Sequence, residues 1–216
     1  MLTVLWDNDG VLVDTEGLYF QACREVLASV GVDLTLEAFK EISLRRGESV
    51  FQLASQGGME AEEVARLRNQ RDHRYGDLLS ARCPVNEGVA DALHALHGRV
   101  CMGVVTSSRR GHFEAAHARS GVVQYMSFVL TREDYTHTKP HPEPYLTAME
   151  RHNLRPEQCI AVEDSERGLA AAVAAGLACI VVASRWTGNG DFTKAVARVD
   201  TMAEVASEIL RRAAAQ

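Results

Sequence analysis

The chain has 216 residues, of which 46% are hydrophobic and 24% are charged, and it carries a formal net charge of -6 with a pI near 5.8. This composition is typical of a globular protein, and the acidic balance argues against nucleic acid or an anionic membrane as a partner. The first apolar run is interrupted at Asp7, too early for a secretory signal, and no later run approaches the roughly 18 residues that span a membrane.

Five short apolar segments are predicted to be buried strands, because each is bounded by polar or turn-forming residues. They lie at 2–6, 100–105, 127–130, 159–162 and 178–182. Helical patterns separate the later strands, at 111–119, 142–152 and 166–175, and an alanine-rich segment at 203–216 predicts a final surface helix. Strands that alternate with helices indicate an α/β fold, here a Rossmann-like parallel sheet in a three-layer core.

The interval between the first two strands is too long for a single crossover. It contains helical patterns at 16–30, 35–41, 47–56, 60–80 and 86–97. We therefore predict a helical cap domain inserted at 15–82, and a core domain made of 1–14 and 83–216. The five cysteines are widely spaced and include no C-x-x-C pair, which favours a reducing, cytoplasmic location over a disulfide framework or a zinc site.

Chemically active side chains follow four of the predicted strands. The segments are 7–10, 106–108, 138–140 and 163–165. In open α/β sheets the carboxyl ends of the strands share one edge, where ligands bind. Clustered carboxylates repel one another, and a hard cation such as Mg²⁺ relieves that repulsion.

These residue types suit the transfer of a phosphoryl group. Lys139 and Thr106 can bind phosphate oxygens, and backbone N–H groups after the second strand can do the same. Asp7 can attack phosphorus to form an aspartyl-phosphate, while Asp9 can protonate the leaving oxygen and later accept a proton from water. Gly10 permits a sharp turn beside them.

Four motifs in this order resemble those of the haloacid dehalogenase-like hydrolases, in the subgroup of β-phosphoglucomutase and small phosphosugar phosphatases. They are 7–15, 104–108, 139–145 and 162–165, the last followed by Gly168 and by glycine at 176. The resemblance runs over nearly the whole chain. It implies a fold with a mobile cap that closes over the substrate, and an enzyme that acts as a phosphoric monoester hydrolase.

The resemblance also implies roles for single residues. Asp7 is similar to the nucleophile and a magnesium ligand, and Asp9 to the general acid and base, whose backbone carbonyl also contacts the metal. Asp164 is similar to a further ligand, with Glu163 nearby. Further substrate contacts are expected from Asn8, Thr106, Ser107, Ser108, Lys139 and the cap residue Arg46. His137 and His141 flank Lys139, but the motif gives them no role.

Residue differences separate the reactions of this family. Asp9 disfavours carbon–halogen cleavage, since dehalogenases dispense with the second aspartate. Lys40 is the only lysine of the predicted cap and lies in a polar helical pattern, which disfavours phosphonate hydrolysis through a Schiff base. Tyr19 stands where the mutases have a histidine, so a phosphatase of a small metabolite, such as a sugar phosphate, is preferred.

Two other functions stay open. The first is a β-phosphoglucomutase-like mutase, and the second is a non-catalytic phosphate-binding protein. The expected partner is a small phosphorylated molecule, with no nucleic acid or membrane, and we expect a monomer or a weak homodimer.

Overall fold

The computed structural model describes residues 1–187 and 190–215. Six strands form one sheet in the order β3-β2-β1-β4-β5-β6, and every neighbouring pair is parallel. The strands are β1 (Thr3–Trp6), β2 (Cys101–Val105), β3 (Phe128–Leu130), β4 (Cys159–Glu163), β5 (Ala178–Val182) and β6 (Ala197–Val199). The order reverses between β1 and β4, and ligands bind at this kind of crevice in open α/β sheets.

Within the interval between β1 and β2, residues 15–82 fold into four helices and one π-helical turn. These are α1 (Glu16–Ala28), α2 (Leu36–Phe39), the π-helical turn (Lys40–Arg45), α3 (Gln52–Gln56) and α4 (Ala61–Ala81). They enclose a hydrophobic cluster of their own, in which Leu27, Phe39 and Phe51 are fully buried. A smaller cluster joins α4 to the rest of the chain through Tyr75 and Leu79.

The remaining helices cover the two faces of the sheet. They are α5 (Val89–Leu96), α6 (Arg110–His117), α7 (Glu143–Arg151), α8 (Glu166–Ala174) and α9 (Met202–Ala213). Side chains of β1 alternate between the faces, because successive residues of a strand point to opposite sides. Val4 and Trp6 pack with α5 and α9, whereas Leu5 packs with α7 and α8. The predicted three-layer α/β fold is confirmed.

Two predicted features differ from the structure. The predicted helix at 47–56 is shorter, since Gly47 adopts a left-handed backbone (φ 68°) and α3 begins only at Gln52. Strand β6 was not predicted, because Ala197–Val199 has three residues with a charged one in the middle. The final helix ends at Ala213, and Gln216 lies outside the described residues. No helix of the described ranges has the length and apolar character needed to cross a membrane.

Candidate active site

Asp7 is the first residue after β1, at the centre of the sheet. Its backbone N–H donates to the carbonyl of Val162 in β4 at 2.9 Å, so the ladder of the sheet holds its backbone in place. The side chain is 12% exposed, and its Oδ1 accepts a hydrogen bond from Lys139 Nζ at 2.9 Å. Burial and the charge of Glu163 raise the pKa of Asp7 well above its ordinary value, although Lys139 opposes them. This carboxylate therefore needs nearby positive charge to remain ionised.

Lys139 reaches the same point from the segment before α7. Its buried ammonium group donates to Asp7 Oδ1, to Glu163 Oε1 at 2.7 Å and to the carbonyl of Val105 at 2.9 Å. Burial by itself would lower the pKa of Lys139, but the two carboxylates raise it above its ordinary value. Lys139 is thus a fixed positive charge with all three of its donors in use.

Three buried carboxylates meet beside this lysine. Asp7, Glu163 and Asp164 each place one oxygen within 4.8 Å of the other two. Burial, followed by the charge of Glu163, raises the pKa of Asp164 to about 7. Glu163 Oε2 is buried and has no hydrogen-bond partner among the described residues. One lysine does not balance three carboxylates, so the donor set fits a hard divalent cation with oxygen ligands.

Two glycines provide the space that these carboxylates fill. A Cβ atom at Gly10 would overlap the carboxylate of Asp164, and a Cβ atom at Gly168 would overlap that of Glu163. Gly10 also has φ +80°, a conformation that other residues rarely adopt. The two glycines therefore let the backbone approach the acidic group closely.

Asp9 lies two residues beyond Asp7 and turns its carboxylate toward hydroxyl groups. Thr15 Oγ1 donates to Asp9 Oδ1 at 2.6 Å, while Ser108 Oγ and Thr106 Oγ1 donate to Oδ2 at 2.7 and 3.2 Å. The backbone N–H of Ser108 donates to Thr106 Oγ1 at 3.0 Å. The candidate general acid thus lies directly beside the residues that were predicted to bind phosphate.

A cavity of about 340 Å³ opens over these groups. Six predicted site residues line it: Asp7, Asp9, Ser107, Ser108, Lys139 and Asp164. The helical side contributes Thr15, Glu16, Tyr19, Ser43, Leu44, Arg71, Asp72 and Tyr75. Ligand pockets in proteins begin at about this volume, so the cavity suits a small molecule. Thr106 and Glu163 are fully buried behind the lining and contact it through Asp9 and Lys139.

The side chain of Asn8 does not line the cavity, so the structure gives no support for a side-chain contact with substrate. Its Oδ1 lies 2.7 Å from Nε2 of His117, whose Nδ1 is 2.8 Å from Ser120 Oγ. The reason is the alternation of an extended chain, in which residues i and i+2 share a side. Asp7 and Asp9 point to the cavity, and Asn8 points into the layer of α6.

We expect the protein to lose stability as the pH falls from 6.5 toward 4, because burial lowers the pKa of His117 from 6.5 to about 4. Between pH 6.5 and 4, His117 binds a proton in the unfolded chain but not in the folded chain. The stabilisation from the neutral, buried imidazole is therefore fully present above pH 6.5 and is lost as the pH falls through the folded pKa. The loss is about 3 kcal/mol at most. Denaturant titrations at several pH values measure it.

Two variants isolate this effect. His117→Leu lowers stability overall, because it leaves a buried amide unpaired, but it removes this part of the pH dependence. His94→Ala, at an exposed position of α5, keeps the wild-type slope. An unchanged slope in His117→Leu would contradict the prediction.

Arg46 also lies outside the cavity lining, so its predicted contact with substrate stays a prediction without support from the structure. Its guanidinium group is 3.4 Å from Glu48 and 3.9 Å from Glu41, and the side chain is 45% exposed. The two acidic neighbours come from its own segment and hold the charge on the surface.

Three charged residues of the helical side line the cavity without having been predicted. Glu16 follows the first motif directly, and its Oε2 is buried with no hydrogen-bond partner in the described part of the chain. Burial, with the charges of Asp164 and Asp9, raises the pKa of Glu16 well above its ordinary value. Because Glu16 directly follows the motif at 7–15, its position in the sequence could have identified it as a residue of the site.

Arg71 and Asp72 are the other two, and they form an ion pair on α4. Arg71 Nε donates to Asp72 Oδ1 at 2.8 Å, and another guanidinium nitrogen donates to the hydroxyl of Tyr19. Arg109, which follows the serines after β2, binds Asp72 Oδ2 at 2.7 Å. Helix α4 is rich in charges, so its sequence gave no sign of which ones face a cavity.

The chain belongs to the haloacid dehalogenase-like hydrolases. Residues 4–182 match the model of this family, which confirms the resemblance inferred from the four motifs and the prediction of a hydrolase.

Relatives with known names cover most of the chain. Fructose-1-phosphate phosphatase YqaB from Escherichia coli is 29% identical over 183 residues, which are 83% of this chain and 95% of the relative. Phosphorylated carbohydrates phosphatase from Thermotoga maritima is 31% identical and covers 82% of each chain. The crystal structure of CbbY from Rhodobacter sphaeroides in complex with phosphate superimposes with a TM-score of 0.80 at 26% identity, covering 95% of this chain and 96% of that one.

Proposed function

We propose that the chain is a Mg²⁺-dependent phosphatase that hydrolyses a phosphate ester of a small hydroxylated metabolite, with Asp7 as the nucleophile. The observation that carries the proposal is the contact of Lys139 with Asp7 at 2.9 Å, at the base of a cavity lined by Asp9 and two serines. The relatives named as phosphatases of phosphorylated sugars support it. The free state of all five cysteines supports a reaction in the cytoplasm.

The proposed reaction has two steps on the same two aspartates. Asp7 attacks phosphorus, the bond to the leaving oxygen breaks, and Asp9 gives that oxygen a proton. Water then attacks the aspartyl-phosphate, Asp9 takes its proton, and inorganic phosphate leaves. Phosphate oxygens would accept the hydrogen bond that Ser108 now donates to Asp9, which frees the Asp9 carboxylate for proton transfer. Lys139 balances the negative charge that accumulates on Asp7 and phosphate.

Asp7 and Asp164 would hold Mg²⁺ through their carboxylates, with Glu163 beside them. The contact through the backbone carbonyl of Asp9 stays a prediction. When bound, the ion supplies positive charge that keeps the nucleophile ionised and offsets the charge of the substrate.

Mg²⁺ should stabilise the fold even without substrate. At a concentration 100 times its Kd, a ligand of the native state adds about 2.7 kcal/mol. We expect Mg²⁺ to raise the melting temperature of the wild type and to have little effect on Asp164→Asn. Asp191→Asn, at an exposed acidic position, is the matched control. An equal rise in the Asp164→Asn variant would place the ion elsewhere.

We also propose that the helical segment 15–82 acts as a cap. It supplies one side of the cavity and has a hydrophobic cluster of its own. Closure of such a segment excludes water from the reacting groups. Small-angle scattering should report a more compact protein in the presence of Mg²⁺ and a phosphate mimic than without them.

Carboxylates on the helical side of the cavity favour a neutral leaving group. Glu16 has an unpaired buried oxygen, and Asp72 is paired with Arg71 and Arg109. Hydroxyl groups of a sugar or polyol can donate to Glu16, whereas a carboxylate of the substrate cannot donate and would bring more negative charge close to Asp9 and Asp164. A panel of phosphate esters with Mg²⁺, read out as released phosphate, should therefore favour sugar and polyol monophosphates over phosphoglycolate. Faster turnover of phosphoglycolate would contradict this preference.

A mutase would need a positively charged side chain that binds the second phosphate of its substrate. Arg46, its expected ligand, contacts Glu41 and Glu48 instead, and Tyr19 bonds Arg71 where a mutase has an imidazole. Incubation with a sugar 1-phosphate separates the functions. A phosphatase releases inorganic phosphate, whereas a mutase forms the 6-phosphate, and a non-catalytic binding protein does neither.

A further inference from the structure

A second group of side chains with metal-binding donors lies on the surface beside Lys139. His137, His141 and Glu143 each place one donor atom within 4.8 Å of the other two. His137 Nδ1 is 2.6 Å from Glu143 Oε2, and His141 Nδ1 is 3.9 Å from the same oxygen. The two imidazole rings lie with their centroids 4.6 Å apart. The donors are thus two nitrogens and one oxygen, unlike the all-oxygen group around Asp7.

The backbone holds this group in place without an ion. Glu143 Oε1 accepts the N–H of residue 136 at 2.7 Å, and Oε2 accepts the N–H of His137 at 2.8 Å. The N–H of Glu143 donates to His141 Nδ1 at 3.2 Å, and His141 stands between two prolines that restrict the chain. A carboxylate oriented by two backbone donors, next to two imidazoles on a stiff segment, is a pre-organised donor set.

We propose that His137, His141 and Glu143 form a binding site for a transition-metal cation such as Zn²⁺, separate from the proposed magnesium site. Imidazole nitrogens with one carboxylate are a donor set that Zn²⁺ uses when water fills the fourth position, whereas Mg²⁺ prefers oxygen ligands. Rotation of these side chains would have to bring the three donors to the Zn–N and Zn–O distances around one ion. On binding, the ring nitrogen of His137 that bonds the ion must carry no proton, so a proton on that nitrogen moves to the other ring nitrogen or, from an imidazolium, to solvent.

The site would also act on the segment that carries Lys139. Its ligands stand on both sides of that lysine in the chain, so an ion would tie residues 137 and 143 together. Lys139 itself stays anchored to Asp7 and Glu163.

The experiment titrates the protein with Zn²⁺ by calorimetry in an excess of Mg²⁺, which fills the carboxylate site. We expect one Zn²⁺ per chain, and we expect His137→Ala and His141→Ala each to weaken binding at least about tenfold. The control is His94→Ala, an exposed histidine on α5, which should bind like the wild type.

Co²⁺ gives a second readout, because low coordination with nitrogen ligands produces an intense visible absorption, whereas an octahedral oxygen site absorbs only weakly. We expect this absorption in the wild type and its loss in both variants, whose folding is checked by circular dichroism. Zn²⁺ binding that survives both substitutions, or no Zn²⁺ binding in the presence of Mg²⁺, overturns the proposal. Neither result depends on phosphatase activity, so the proposed function is tested separately.

Discussion

Asp7→Asn is expected to lower phosphate-ester hydrolysis by about 10⁴-fold or more, the loss typical of removing a nucleophile. An amide of the same shape cannot form the aspartyl-phosphate. It also removes one of three buried carboxylates, which relieves the repulsion that Glu163 and Asp164 exert on Asp7. The variant should therefore be inactive and at least as stable as the wild type. Release of phosphate from an aryl phosphate in Mg²⁺, together with thermal denaturation, measures both quantities.

Asp33→Asn is a suitable control, since it makes the same chemical change at an exposed position far from the strand ends. It should match the wild type in rate. If Asp7→Asn and the wild type hydrolyse the ester equally fast, Asp7 is not the nucleophile. If Asp7→Asn is inactive because it is unfolded, its melting temperature reveals this.

Lys139→Met is expected to reduce both stability and activity. The ammonium group is buried between Asp7 and Glu163, and breaking a buried ion pair costs about 3–5 kcal/mol when a charge is left without a partner. The rate should fall about 10²–10³-fold, as it does when one electrostatic contact to the transition state is lost. Mg²⁺ should recover part of the stability, because it supplies positive charge to the same carboxylates. Denaturant unfolding with and without Mg²⁺ measures this recovery.

Lys194→Met tests whether any lost lysine has this effect. Lys194 is exposed, so its replacement should change stability by no more than about 0.5 kcal/mol. Wild-type stability in Lys139→Met would mean that the two carboxylates do not need this cation in the folded protein.

The fold was predictable where a segment was apolar and had polar or turn-forming residues at both ends. The five predicted strands and the helices between them have such patterns, and they form a parallel sheet as predicted. Strand β6 (Ala197–Val199) has the same length as β3, but the arginine at its centre breaks the apolar pattern. The predicted helix at 47–56 was too long for another reason. Its sequence has a helical pattern, but Gly47 adopts a left-handed backbone after the π-helical turn at Lys40–Arg45.

The candidate site was predictable from the ends of strands, because the sheet itself fixes where those residues lie. The side chain of Asn8 lies away from the cavity, which the alternation of an extended chain relative to Asp7 and Asp9 could have predicted. Arg71 and Asp72 could not be identified, because their position over the cavity depends on how α4 packs against α1 and α6. Contacts between elements that are distant in the chain leave no local pattern.

Gly10 and Gly168 impose a limit on how this chain can vary. Each leaves room for a carboxylate that even one methyl group would displace. In a saturation library, selection for activity should deplete every substitution at both positions, alanine included. As long as Asp164 and Glu163 are kept, Gly10 and Gly168 cannot be substituted without loss of activity. Sequence change in this part of the chain is therefore restricted to the residues around these two glycines.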